Sequence, residues 1–174
     1  MRYFLYLGLI CIGFGGNSCN RDLGGFLMTY EREFTLPAGL NAINTHYFEI
    51  YDVPSLKDQF FAANQVSDPT QFTATGNEGR LYLPLDPGVD LSFIDEIQVM
   101  LFKTGQTGIY PTTFERVDVP FTTDDNLLML AQIPNVMSYL SDEKFHIRIR
   151  INLRSPCPQT VTARLFMSYR VLPK

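Results

Sequence analysis

The chain has no tryptophan, only two histidines and only three cysteines in 174 residues. Zinc sites need several His or Cys ligands held together, and His46 and His146 stand far apart in sequence, so no metal centre of that type is expected. Three cysteines do not make a disulfide framework, so the fold must rest on packing. No Gly-x-Ser-x-Gly elbow and no phosphate-cradling glycine loop occurs. The adjacent acidic pairs Asp95-Glu96, Asp124-Asp125 and Asp142-Glu143 do not supply two carboxylates facing each other across a cleft. No apolar run reaches the ~20 residues of a membrane-spanning helix. No catalytic residue, metal or cofactor is therefore expected, and a non-enzymatic role is. Calcium, which takes clustered loop oxygens, has only Asp86–Asp90 and Asp124–Asn126 to use, without an EF-hand loop.

What is present begins at the N-terminus. Met1-Arg2 precedes an apolar stretch from Tyr3 to Phe14, followed by Gly15-Gly16-Asn17-Ser18-Cys19. A basic start, a short apolar core and a small-residue exit make a secretory leader. Gly16 and Ser18 would also serve a plain secretory cleavage without lipid. With Cys19 at the exit, the segment resembles a bacterial lipoprotein precursor with the loose cleavage box common in Bacteroidota. Gly16 stands where most such precursors carry Leu. The resemblance covers this segment alone. It implies cleavage before Cys19, acylation of Cys19, and an outer-membrane, cell-envelope location. The expected division is a leader over 1–18, a lipidated tether over 19–25 and one domain over 26–174.

The domain reads as strand. Phe145, Ile147, Ile149, Ile151 and Leu153 alternate with His146, Arg148, Arg150, Asn152 and Arg154, which predicts one apolar and one polar, basic face. A final strand over about 160–172 sets Val161, Ala163, Leu165, Met167, Tyr169 and Val171 against Thr162, Arg164, Phe166, Ser168, Arg170 and Leu172. The short link Ser155-Pro156-Cys157-Pro158-Gln159 predicts that these two strands pair antiparallel. Earlier strands are expected over 28–36, 40–53, 71–75, 80–85, 95–103, 110–119 and 126–133, with a turn at Gly76-Asn77-Glu78-Gly79. Short helices are expected after Ser55 and after Pro134. The pattern predicts an all-β, antiparallel two-sheet β-sandwich, Ig-like or jelly-roll-like, of about eight strands with one or two short helices.

Charge is unevenly distributed. Residues 21–143 hold six basic and eighteen acidic residues, whereas residues 144–174 hold seven basic and none acidic. If the last two strands pair, Arg148, Arg150, Arg154, Arg164 and Arg170 form one basic face. Two readings of it follow. Acidic neighbours such as Glu31, Glu33, Glu115 or Asp118 pair with the arginines across the sheet. Alternatively the face meets an external anion: lipid head groups, an anionic glycan or an acidic protein. Nucleic acid is not expected, because the chain is acidic overall and directed out of the cytoplasm. Two roles follow: an accessory or interaction subunit of an outer-membrane assembly with an envelope protein partner, or a module binding glycan or another small anionic ligand. Tyr47, Tyr51, Tyr82 and Tyr110 are candidate glycan platforms.

Overall fold

The computed structural model describes residues 25–83, 88–121 and 125–174. The leader, Cys19 and nearly all of the expected tether lie outside the described residues. Eight strands run as β1 (Phe26–Leu36), β2 (His46–Pro54), β3 (Phe72–Tyr82), β4 (Ile94–Phe102), β5 (Thr112–Arg116), β6 (Asn126–Ala131), β7 (Lys144–Leu153) and β8 (Val161–Pro173). Two short helices, α1 (Lys57–Ala63) and α2 (Met137–Leu140), stand where Ser55 and Pro134 predict them. The Ser55 hydroxyl accepts the Lys57 N–H at 3.3 Å.

All strand pairings are antiparallel, in the order β1-β8-β3-β6-β5-β4-β7-β2. The series curls around one core. Tyr30 of β1 meets Phe145 of β7 edge-on at 5.0 Å, and Phe114 of β5 meets Tyr169 of β8 at 5.4 Å. The end strands β1 and β2 also touch, through Phe34 and Phe48 with ring centroids 5.4 Å apart. The all-β, eight-stranded antiparallel expectation is met, in a form close to a barrel. The alternation read in β7 and β8 also holds: Phe145, Ile147, Ile149, Ile151, Val161, Ala163, Leu165, Met167, Tyr169 and Val171 are all buried.

Three local expectations fail, each for a physical reason. Gly76-Asn77-Glu78-Gly79 is not a turn; β3 runs straight through it with one bulge between Gly76 and Glu78. The glycines are there because another strand passes close. A Cβ on Gly79 would lie 2.6 Å from Phe114 Cγ, and one on Gly76 would lie 2.8 Å from the Thr113 carbonyl oxygen. Second, β7 and β8 do not pair. β7 lies between β2 and β4, and β8 between β1 and β3. The proline-rich link crosses from one half of the series to the other, its Cys157 bonding through backbone N–H to Leu40 O at 3.0 Å. Third, His146 is buried although it belongs to the polar set of β7. Tyr51, Phe102 and the turn holding Thr104 cover it.

Candidate functional site

The separation of β7 from β8 divides the five arginines. Arg148 and Arg150 project from the outer face of β5-β4-β7-β2, Arg154 lies just past the end of β7, and Arg164 and Arg170 project from β1-β8-β3-β6. They do not form one patch.

The β2-β7-β4 face is the most organised surface. Register places Glu49 of β2 opposite Arg148 of β7, and Tyr47 opposite Arg150, which in turn faces Gln98 of β4. Opposite charges on paired strands attract directly across the ladder. Arg148 Nε donates to Glu49 Oε1 at 2.8 Å, and Nη2 donates to the same oxygen. Tyr51 donates its hydroxyl to the other carboxylate oxygen, Oε2. The guanidinium carbon sits 4.5 Å from the Tyr110 ring centroid, 5.5 Å from Phe102 and 5.8 Å from Tyr47. Planar guanidinium groups favour such aromatic enclosure.

Beside this cage lies a second network centred on Glu96 of β4. Its carboxylate accepts from Arg150 Nη1 at 3.0 Å, Gln98 Nε2 at 3.0 Å and Asn152 Nδ2 at 2.7 Å. Asn152 Oδ1 accepts from the Thr45 hydroxyl at 2.8 Å. Every planar group here is held by another, so the side chains are fixed before any partner arrives. Tyr47 and Tyr51 stand at the rim, each 58% exposed. The Tyr51 hydrogen bond holds the Glu49 carboxyl below the usual range; partial burial opposes this, and the Arg148 hydrogen bond and charge reinforce it. For Arg148, burial works against the charged form, but Glu49 outweighs it and the guanidinium is held more firmly protonated than usual.

The other arginines are more ordinary. Arg154 donates to Asp95 Oδ1 at 3.2 Å and to the Val119 carbonyl, and lies 4.1 Å from the Phe121 ring centroid. Arg164 faces Glu33 across the ladder and bridges to both Glu31, at 3.0 Å, and Glu33. Tyr82 donates its hydroxyl to Glu31 at 2.7 Å. Arg170 is exposed and makes no ion pair among the described residues. Four of the five thus have carboxylate partners. Glu31 and Glu33 are partners the charge pattern pointed to, whereas Glu115 accepts from Gln132 instead, at 2.8 Å. Glu49 was not named by sequence reasoning, and Asp95 and Glu96 were named only as an adjacent acidic pair, not as partners of the arginines. The signal for Glu49 was its position in a strand of alternating character, but strand order was needed to use it.

A groove of about 390 Å³ opens on the opposite half, lined by Glu78, Arg80, Tyr82, Asn126 and Phe166 among others. Arg80 and Glu78 pair within it. Among the described residues, no group of three His, Cys, Asp or Glu is placed to hold a metal ion. His46 Nε2 lies 2.7 Å from the Asn41 carbonyl, and Cys157 is a buried free thiol raised by burial.

No family model and no curated protein matches this chain. Among solved structures, one match is described as the crystal structure of decameric BFDV capsid protein. It is 14% identical, covers 86% of this chain and 98% of that one, and superposes with a TM-score of 0.38.

Proposed function

We propose that this is a non-enzymatic, lipid-anchored protein of the outer membrane, acting as an accessory or interaction subunit through its β2-β7-β4 face. The leader over 1–18, with Cys19 at its exit, supports the location. The observation that carries the binding role is the prearranged face itself, in which ion-paired Arg148 and Arg150 stand beside exposed Tyr47 and Tyr51, with Tyr110 of the β4–β5 loop closing over Arg148. Aromatic and arginine side chains with low ordering cost are what recognition surfaces use. The architecture is read as a jelly roll of two sheets. The support is strand order: β1-β8-β3-β6 and β5-β4-β7-β2 are the two halves of an interleaved double Greek key.

A second reading, a glycan-binding module, is favoured by one feature. Glu49, Glu96, Gln98 and Asn152 offer planar donors and acceptors beside flat aromatic rings, which suits hydroxyl-rich, ring-shaped ligands. Because the arginines are already neutralised by carboxylates, a neutral glycan fits this face better than an anionic one.

The test is co-purification from detergent-solubilised envelopes with the parent and with Tyr47→Ala. Loss of a reproducible partner in the variant, at unchanged melting temperature, is the expected result. Recovery of the parent alone removes the subunit reading. Glycan-array binding that depends on Tyr47 then selects the second.

A further inference from the structure

We infer that one end of this domain, the end at which the chain enters β1, rests against phospholipid head groups. The inference builds on the lipid-anchor reading above and assigns the surface that faces the membrane.

Strand direction defines that end. Phe26, the first residue of β1, is paired with Val171 near the end of β8, and Pro173 of β8 is paired with Phe72 at the start of β3. Following the registers around the series, the same end holds the finish of β2, β4 and β6 and the start of β5 and β7. Both helices and the 103–111 loop therefore sit there. An anchor at Cys19 leaves only six intervening residues before Phe26. Fully extended, that link spans at most about 25 Å. The β1 entrance cannot move further than this from the bilayer surface.

Lysine placement marks the same end. The chain contains four lysines, Lys57, Lys103, Lys144 and Lys174, and all four lie there, in or beside α1, at the close of β4, at the start of β7 and after β8. Lysine stems lie along apolar surface while the ammonium groups reach the head-group layer. Asp52, Asp58, Asp68, Asp142 and Glu143 at this end keep it near neutrality, with Lys103 paired to Asp142 at 2.8 Å and Lys144 to Asp52 at 3.6 Å. The opposite end carries Asp90, Asp95, Asp118 and Asp125 against Arg116 and Arg154, and no lysine, so it is the more acidic of the two. Exposed apolar side chains stand at both ends, with Ile43, Val117 and Phe121 at the opposite one, and only at the β1 entrance do they lie beside lysines. Ile109, in the loop between β4 and β5, is 96% exposed, and Ile133, after β6, is 89% exposed. Leu56 at the start of α1 is also exposed. Isolated aliphatic tips beside lysines are the composition of surfaces that lie in a membrane interface.

The absence of tryptophan from the chain makes the test direct. Ile109→Trp, Ile133→Trp and, at the opposite end, Ile43→Trp each introduce a single fluorophore at an exposed site. The full-length variants are purified with their anchor and reconstituted into vesicles of phosphatidylethanolamine and phosphatidylglycerol at about 3:1. Intact mass is recorded first. The expected result is acylated protein in which brominated acyl chains quench the emission of the Ile109→Trp and Ile133→Trp variants at least about twofold more than that of the Ile43→Trp variant. Acylated protein with equal quenching at all three sites, with none, or with stronger quenching in the Ile43→Trp protein overturns the orientation and leaves the anchor standing. Protein without acyl mass overturns the anchor reading, and this inference with it.

Discussion

Gly79→Ala should destabilise the domain by about 2 kcal/mol, although alanine is ordinarily the better strand residue. The added Cβ would lie 2.6, 2.7 and 3.0 Å from Cγ, Cδ1 and Cβ of Phe114. Carbon atoms rest at roughly 3.5–4.0 Å, so the ring must retreat by about 1 Å. It has nowhere to go, because Phe114 is fully buried with Tyr169 against it at 5.4 Å. Overpacking of that kind costs roughly 1–3 kcal/mol. Gly79 is not in the left-handed region, so no backbone strain is added. The smaller unfolded-state entropy of alanine returns about 0.5 kcal/mol. With a urea slope of about 2 kcal/mol per molar, the midpoint should fall by about 1 M. Trimming the obstacle should release the penalty. In a Phe114→Ala background, which removes Cγ and Cδ1, Gly79→Ala should cost under about 0.5 kcal/mol, so a double-mutant cycle reports a large coupling. Gly76→Ala should not be rescued in this way, since its nearest obstacle is the Thr113 backbone oxygen at 2.8 Å. A Gly79→Ala midpoint equal to the parent's, or a cost undiminished by Phe114→Ala, would refute the close approach.

Three further outcomes follow from the packing and the face. The Glu49 carboxyl has a lowered pKa in the folded protein, chiefly through Tyr51. The folded state therefore binds fewer protons than the unfolded one, and the stability Glu49 contributes is present above about pH 4.3 and lost as pH falls through the folded value. Glu49→Gln should flatten the decline in urea midpoint below that pH, and an unchanged slope would show that the pair carries no linkage. His146 Nδ1 accepts the Asp52 N–H at 2.9 Å, which puts the ring proton on Nε2, bonded to Thr104 Oγ1 at 2.7 Å; nitrogen NMR should find that tautomer, and His146→Ala should cost about 2 kcal/mol by orphaning the Asp52 N–H. Cys157, buried and with its thiol raised by burial, should stay silent to a thiol reagent in the acylated, folded protein and react on denaturation; prompt reaction would mean that the 155–159 link opens readily.

The strands that sequence reading located most accurately are those whose alternation is uninterrupted. β7 and β8 were legible almost to the residue because aliphatic and polar side chains alternate through ten and thirteen positions. Strand neighbours were not legible. A five-residue proline-rich link looks the same whether it closes a hairpin or crosses between halves of a curled sheet, and the link at 155–159 does the second. Glycine is equally ambiguous: Gly76 and Gly79 carry the signature of a turn, yet serve to let Phe114 and Thr113 pass. At the candidate face, residue type showed that Arg148 and Arg150 share a side. It did not show that Glu49 and Glu96, far away in the chain, would neutralise them. His146 was misplaced because alternation assigns a face but does not say what else covers that face.

The contact between Phe34 and Phe48, which brings the two terminal strands of the series together, bears on how such molecules behave in company. Proteins confined to a two-dimensional film meet their own copies at high local density, and a bare strand margin there is a template for runaway polymerisation. Here each margin is turned toward the other, and β1 is further studded with Glu31, Arg32 and Glu33. Copies of this domain therefore offer one another little bare strand edge to pair with.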